Sequence, residues 1–196
     1  EEVMKAEGYT LDQLARYKYE ARRSLGDEIQ SLRAKRQESK FKALFAEDAS
    51  QFETSADLAL IFDEQTYAYN QPYKGSRPFR KHYFPIIGDL KPEGEEFRCA
   101  AFLDDHPKVR YWVRNVDRKP NAFWLQLSRG RFYPDFVAML TDGRILVVEY
   151  KGQFLAAGAQ EKLTVGKLWA DASDHQCLFA MPTDTGFSDL TNMLKA

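Results

Sequence analysis

The run Ile145–Val148 constrains the fold most, because four consecutive apolar residues must be buried on both faces of the element that they form. A short run of this composition predicts a central strand of a sheet that is covered on both sides. Glu149 and Lys151 follow it almost at once. Charged residues are rarely buried without a partner, so two of them at the end of such a strand indicate a site.

The segment before this strand predicts the first arm of a β-hairpin, and the register decides whether a second carboxylate joins the site. The turn lies at residues 141–143. A three-residue loop with Gly143 in the left-handed conformation places Asp135 opposite Glu149, with both side chains on one face. A two-residue loop places Asp135 opposite Tyr150, which sends the two carboxylates to opposite faces unless a bulge intervenes.

Two carboxylates and an ammonium that converge at one end of a hairpin suit a hard cation. Mg²⁺ prefers oxygen ligands, keeps several waters and is often completed by substrate phosphate oxygens; Mn²⁺ is the expected substitute. The ion would polarise a phosphoryl group, while Lys151 would orient the nucleophilic water or offset charge in the transition state. Asp135, Glu149 and Lys151 therefore predict phosphodiester hydrolysis. The alternative is an edge hairpin whose charged side chains face water.

The rest of the C-terminal half predicts an α/β fold with a mixed central sheet flanked by helices. Apolar periodicity and turn residues mark the elements. Helices are expected near residues 95–103, 159–170 and 188–195, and strands near 109–113, 123–127, 132–140, 144–150 and 176–181. A helix between the last two strands allows them to be parallel, whereas the hairpin is antiparallel.

We expect three parts along the chain. Residues 1–50 predict a helical extension, with Thr10 as the first cap and Gly26 as a break or bend. Residues 51–95 predict an irregular connector, rich in aromatic residues and proline, with one extended piece near 79–84. Residues 96–196 hold the proposed site. The chain starts with glutamate rather than methionine, which suggests a piece of a longer protein.

Composition excludes several classes of protein. No run approaches the ~20 apolar residues of a membrane span, and the first residues do not resemble a signal peptide. The two cysteines, Cys99 and Cys177, have no zinc or disulfide spacing, so a cytoplasmic location fits best. The net charge of -1 gives no general attraction to nucleic acid, so binding would depend on local patches.

The motifs together resemble the PD-(D/E)XK nuclease superfamily and, more narrowly, the C-terminal endonuclease domain of type III restriction enzyme Res-like subunits. The match covers about residues 65–181. It rests on five motifs in order, Glu96-x-x-Cys99-Ala100-x-x-Leu103-Asp104, Tyr111-Trp112-Val113-Arg114-Asn115, Phe132-Tyr133-Pro134-Asp135-Phe136, Asp142-Gly143-Arg144 and Glu149-Tyr150-Lys151-Gly152.

The resemblance implies a restriction-endonuclease-like sheet and assigns roles within the site. Asp135, Glu149 and the carbonyl of Tyr150 would bind the metal. Lys151 would be the catalytic lysine, and Glu96, on the preceding helix, would be an acid that supports the site.

The resemblance also implies duplex DNA as substrate, cleavage that leaves 5′-phosphate ends, an upstream ATP-dependent motor domain and a methyltransferase subunit as partner. The chain itself contains no G-x-x-x-x-G-K-[ST] loop, so no ATPase activity is assigned to it. Four residues near the site are expected to contact DNA phosphates: Lys162, Arg114, Asn115 and Arg131.

Two other functions stay open at this point. The chain could be a catalytically silent DNA-binding or scaffolding module, or a nuclease that acts outside restriction, including on RNA. Structural roles are expected for the remaining residues of chemical interest, which are His82, His106, Cys99, Cys177, Trp112, Trp124 and Trp169.

Overall fold

The computed structural model of the protein describes residues 10, 22–29, 31–33, 67–151, 158–183 and 186–195. The chain divides into two compact units, Glu1–Asp48 and Ala49–Ala196. In the first unit, residues 22–29 and 31–33 are helical and exposed. The helix continues through Gly26, so the predicted break there is wrong. The other residues of the predicted extension, apart from Thr10, lie outside the described part.

The second unit contains three helices and six strands within its described residues, in an α/β order. Their bounds are α1 Glu95–Asp105, β1 Val109–Arg114, β2 Leu125–Gln126, β3 Arg131–Phe132, β4 Phe136–Leu140, β5 Ile145–Val148, α2 Ala159–Asp171, β6 Cys177–Ala180 and α3 Ser188–Lys195. No helix in the described part of the chain is long and apolar enough to cross a membrane.

The central sheet is mixed, as the sequence predicts. Its strand order is β1-β4-β5-β6, with antiparallel pairing between β1 and β4 and between β4 and β5, and parallel pairing between β5 and β6. A parallel pair needs a crossover connection, which α2 provides. All four residues of β5 are buried between its two neighbours, so the prediction of a covered central strand is confirmed.

The two faces of the sheet are covered by different helices. On one face, Leu146 and Val148 of β5 belong to a core that includes Leu103 of α1 and Leu190 of α3. On the other face, Gly166 lets α2 come close to the ring of Phe179 on β6. Because strand side chains alternate between faces, both faces of β5 contribute to the core.

The predicted strand 132–140 is interrupted, because residues 133–135 leave one sheet and enter another. Residues 131–132 form β3, which pairs with β2 in a separate hairpin, and β4 starts only at Phe136. Pro134 has no N–H to donate to a ladder. The next residue, Asp135, binds the end of β1, because its carbonyl accepts from the backbone N–H of Asn115 at 2.9 Å. The interruption therefore places Asp135 at the end of β4 rather than inside a strand.

Residues 67–94 are irregular, as predicted for the connector, and part of this segment lies along β1. His82 forms an isolated parallel bridge with Trp112. Asp104 holds the segment in place, because its buried carboxylate accepts from the backbone N–H groups of Arg80 and Lys81 and from the indole of Trp112. This segment covers the outer edge of the sheet at β1.

Candidate active site

The hairpin between β4 and β5 has the three-residue loop that the site requires. The N–H of Leu140 donates to the carbonyl of Arg144 at 2.8 Å, and Gly143 has a φ of 92°. Phe136 pairs with Val148, so the next step of the register brings residue 135 opposite residue 149. The register predicted for the longer loop is therefore confirmed.

Asp135 is fixed by donors on both of its carboxylate oxygens. Its Oδ1 accepts from Nη1 of Arg114 at 2.9 Å, and its Oδ2 accepts from the backbone N–H of Tyr150 at 2.8 Å. The second bond ties the carboxylate to the strand end that carries Glu149. The side chain retains limited contact with solvent. Asp135 is thus preorganised beside Glu149.

Glu149 lies between two ammonium groups. Its Oε1 lies 2.9 Å from Nζ of Lys151 and 2.9 Å from Nζ of Lys162. The residue is only 3% exposed. Burial raises the pKa of Glu149, and the nearby charge of Asp135 raises it further, while hydrogen bonds from the two lysines act in the opposite direction.

Lys151 directs its ammonium into the site rather than into bulk solvent. Burial alone would lower its pKa, but the hydrogen bond and the negative charge of Glu149 outweigh burial, so the pKa of Lys151 is raised. Lys151 therefore remains protonated at neutral pH. The expected convergence of Asp135, Glu149 and Lys151 is present in the structure.

Arg114 connects Asp135 to a further acid, Glu96, on the other side of the site. Its Nη2 donates to Oε2 of Glu96 at 2.7 Å, while Nη1 contacts Asp135. The residue is 9% exposed. Arg114 is thus a buried ion-pair centre, and its contact with a phosphate stays a prediction. Burial raises the pKa of Glu96, Arg114 lowers it, and the charges of Asp135 and Glu149 raise it.

Asn115 also has a structural role, and its contact with a phosphate stays a prediction. Its amide nitrogen donates to the carbonyls of Phe123 and Pro134, and its Oδ1 accepts from the N–H of Phe123. The side chain is buried and both of its N–H groups are used within the protein. Asn115 therefore holds the chain on either side of the β2–β3 hairpin.

Lys162 and Arg131, the other two predicted phosphate contacts, have different surroundings. Lys162 bonds Glu149 and also lies 4.6 Å from the ring centroid of Phe132, so it belongs to the site. Arg131 is exposed, and its guanidinium carbon lies 4.1 Å from the ring centroid of Trp124. Trp124 is itself 39% exposed, so its predicted place in the core is wrong.

The other residues for which structural roles were expected lie within the fold. Trp112 and Trp169 are buried, as are the free thiols of Cys99 and Cys177. His82 accepts from the N–H of Arg114 through Nε2, so its Nδ1 carries the proton and donates to the carbonyl of Phe84. His82 thus supports the strand end that carries Arg114.

The donors at the hairpin end fit a hard divalent cation. Asp135 and Glu149 are adjacent carboxylates, and like charge already raises the pKa of Glu149. Within the described residues, no group of three or more His, Cys, Asp or Glu side chains surrounds a common ion position. An ion would therefore need water, the carbonyl of Tyr150 or substrate oxygens to complete its shell, as Mg²⁺ commonly does.

The sequence reasoning missed the pairing of Arg114 with Asp135 and of Lys162 with Glu149. A usable signal exists for Arg114, because it ends a strand and directly follows two apolar residues, Trp112 and Val113. A charged residue in that position is expected to have a buried partner. Lys162 has no comparable signal, since its position depends on how α2 packs on the sheet.

Comparison of the chain with known proteins adds no further assignment. No family model matches the chain, and neither a curated protein nor a solved structure matches it. Functional inference therefore depends on the geometry of the site and on the motifs of the sequence.

Proposed function

We propose that the chain is a metal-dependent DNA endonuclease domain of the PD-(D/E)XK type, from a type III restriction-type enzyme. The observation that carries the proposal is the meeting of Asp135, Glu149 and Lys151 at one end of the β4–β5 hairpin. The mixed sheet with helices on both faces is compatible with the restriction-endonuclease-like fold that the sequence motifs imply.

Asp135 and Glu149 would hold Mg²⁺ or Mn²⁺, with the carbonyl of Tyr150 as a further ligand. The bound ion would supply Lewis-acid polarisation of the scissile phosphoryl group. Oxygen atoms from two carboxylates and a carbonyl are the type of ligand that this ion prefers. The remaining positions would be taken by water and by phosphate oxygens of the substrate.

The side chains around these acids have separate tasks. Lys151 keeps a protonated amine next to Glu149, where it can orient the nucleophilic water or offset the charge that develops on the phosphoryl oxygens. Arg114 holds the Asp135 carboxylate in one position and compensates its charge. Water would be the nucleophile, without a covalent intermediate, and the products would carry 5′-phosphate ends.

The proposed context is a restriction enzyme in which other parts supply recognition and energy. An ATP-dependent motor domain would precede this domain in the full protein, and a methyltransferase subunit would be its partner. Duplex DNA is the proposed substrate. Incubation of the chain with labelled duplex DNA, single-stranded DNA and RNA in Mg²⁺ tests this choice, and cleavage of RNA alone would contradict it.

Relaxation of supercoiled plasmid tests the catalytic proposal. Asp135→Ala, Glu149→Gln and Lys151→Ala should each reduce the cleavage rate by at least about a hundredfold, because each removes a ligand or a charge from the reacting centre. Asp142→Asn is the matched control, since Asp142 lies in the loop of the same hairpin and, within the described residues, forms its ion pair with Arg144 rather than with a residue of the site. Circular dichroism checks that each variant is folded. Unchanged cleavage by Asp135→Ala would refute the proposal.

A second function has one observation in its favour. Two ammonium groups already neutralise Glu149, and such a closed ion-pair network can be purely structural. A catalytically silent DNA-binding or scaffolding module would use the network in this way. It would have no reason to bind Mn²⁺ at Asp135 and Glu149, so metal binding separates the two functions.

A further inference from the structure

The β2–β3 hairpin presents an exposed aromatic and basic face beside the candidate site. Burial alternates along residues 123–126, so Trp124 and Gln126 share the exposed face of β2. Arg131 pairs with Gln126 across the hairpin and therefore lies on the same face. The exposed face of this hairpin is defined here by Trp124, Gln126, Arg129 and Arg131.

The charge of this segment differs from that of the whole chain. Residues 121–134, which include the hairpin, contain two basic residues, Arg129 and Arg131, and no acidic residue, whereas the chain has a net charge of -1. Within the described part of the chain, no ion pair involves either arginine of the hairpin face. A local positive patch on a nearly neutral protein is complementary to a polyanion.

Arg131 is held in place by Trp124. Its guanidinium carbon lies 4.1 Å from the centroid of the indole ring, which is a stacking distance. Stacking covers the flat face of a guanidinium and leaves its edge N–H groups able to bind oxygen acceptors in bidentate fashion. Because an arginine side chain loses rotamer entropy when it is fixed on a ligand, this restraint lowers the cost of binding.

The hairpin is anchored to the same elements that form the site. The N–H of Ser128 donates to Oε1 of Glu161 on α2 at 2.7 Å. Phe132, on the buried face, contacts the ammonium of Lys162, which in turn bonds Glu149. The hairpin that carries the exposed face is therefore tied to the elements that form the site, although the exposed face itself lies opposite Phe132.

We propose that the exposed face of the β2–β3 hairpin binds the sugar–phosphate backbone of duplex DNA, with Arg131 as the main phosphate contact and Trp124 as the residue that positions it. This inference rests on the proposed nuclease function. The contact supplies affinity and orientation without reading sequence, because charged contacts to phosphates are common to all base pairs.

Fluorescence anisotropy with a 30-base-pair labelled duplex tests the inference in buffer that contains EDTA, so that no cleavage interferes. The full chain is titrated at several KCl concentrations. Arg131→Ala should weaken binding about tenfold and reduce the salt slope by about one phosphate contact. Trp124→Ala should weaken binding by a smaller factor, and Trp124→Phe should restore most of the loss because a ring face is retained.

Arg110→Ala is the matched control for this experiment. Arg110 is an exposed arginine whose guanidinium carbon lies 6.0 Å from the ring centroid of Tyr111, but it lies at the end of β1 away from Arg114. Its variant should bind DNA as the wild type does. Two duplexes of unrelated sequence should give the same changes, since the contact is to the backbone.

Several results would overturn the inference. The first is failure of the wild type to bind duplex DNA, and the second is binding by Arg131→Ala that is as tight as that of the wild type. A third is a loss of affinity in Arg131→Ala that is confined to one DNA sequence. A fourth is a loss that is seen only with a labelled single strand, which would indicate base stacking on Trp124 instead. The nuclease proposal is judged separately by cleavage. Loss of binding in Arg131→Ala with no cleavage by the wild type would refute only the nuclease proposal, and intact cleavage with unchanged binding would refute only this inference.

Discussion

Replacement of Arg114 by methionine should destabilise the fold by about 3 kcal/mol, because breaking a buried ion pair on one side typically costs 3–5 kcal/mol. Arg114 bonds the carboxylate and the carbonyl of Asp135 and the carboxylate of Glu96. The Glu96 side chain is 40% exposed, so water takes over much of that ion pair and the loss falls near the lower end of the range. The larger part comes from Asp135, whose carboxylate would then lie beside Glu149 without the guanidinium that bonds it.

Urea unfolding followed by tryptophan fluorescence measures this loss. All three tryptophans belong to the unit Ala49–Ala196, so the signal reports on the unit that carries the site. With a slope of about 2 kcal/mol per molar urea, the midpoint should fall by about 1.5 M.

Two controls identify the cause of that loss. Arg114→Lys keeps the charge but lacks the planar fork whose two nitrogens reach Asp135 and Glu96, so it should lose some stability but less than Arg114→Met. Adding Asp135→Asn to Arg114→Met should cost less than the two single changes combined, because the stranded charge is then absent. An Arg114→Met variant within 1 kcal/mol of the wild type would refute the role of Arg114 as the ion-pair centre.

As the pH is lowered, the affinity of the site for Mg²⁺ should start to fall at a higher pH than the affinity of a site made of ordinary carboxylates. The reason is that burial and the charge of Asp135 raise the pKa of Glu149. Calorimetry from pH 8 down to pH 4 checks this, and an affinity that is constant down to the ordinary range of glutamate, about pH 4.3, would contradict it. The free energy of unfolding should fall by up to about 3 kcal/mol between pH 6.5 and pH 4, because burial lowers the pKa of His82 from 6.5 to about 4 and the unfolded state takes up the proton first. His82→Gln should flatten this pH dependence; an unchanged profile would exclude His82 as its source. Gly166→Ala should destabilise the protein by about 1–3 kcal/mol although alanine favours helices, since the added methyl would overlap the ring of Phe179. Thermal unfolding measures this change, and a more stable variant would show that the contact relaxes freely.

The β4–β5 hairpin and the central strand β5 could be predicted because local rules determine them. Four apolar residues with no polar side require two covered faces, and β5 has them. Glycine at the end of a three-residue turn favours the left-handed conformation, and Gly143 adopts it. These two features allowed the register with Asp135 opposite Glu149 as one of two alternatives, and the observed pairing of β4 with β5 is the one with the three-residue loop.

The predictions that failed depend on tertiary contacts rather than on local pattern. The strand predicted over 132–140 is interrupted, because Asn115 and Arg114 bind the backbone near Pro134 and Asp135. No local rule reveals those partners. Trp124 was expected in the core from its residue type, but β2 pairs with β3 so that Leu125 and Phe132 are buried and Trp124 lies on the opposite, exposed face.

The residues that compensate the site's charge were the hardest to predict. Arg114 and Lys162 both looked like surface cations available for phosphates, since sequence alone does not reveal which cation lies next to which acid. The position of Arg114 follows from the pairing of β1 with β4, and the position of Lys162 follows from the packing of α2 on β6 and β2. The sequence thus identified the acids, while the structure was needed to identify their partners.

The most direct test of the account is the number of Mn²⁺ ions that the chain binds, measured by electron paramagnetic resonance of the free ion. The account predicts saturable binding to the wild type that is lost or strongly weakened in both Asp135→Asn and Glu149→Gln, and that is retained in Asp142→Asn. A wild type that binds no Mn²⁺, or an Asp135→Asn variant that binds it equally well, would contradict the claim that these two carboxylates form a metal site.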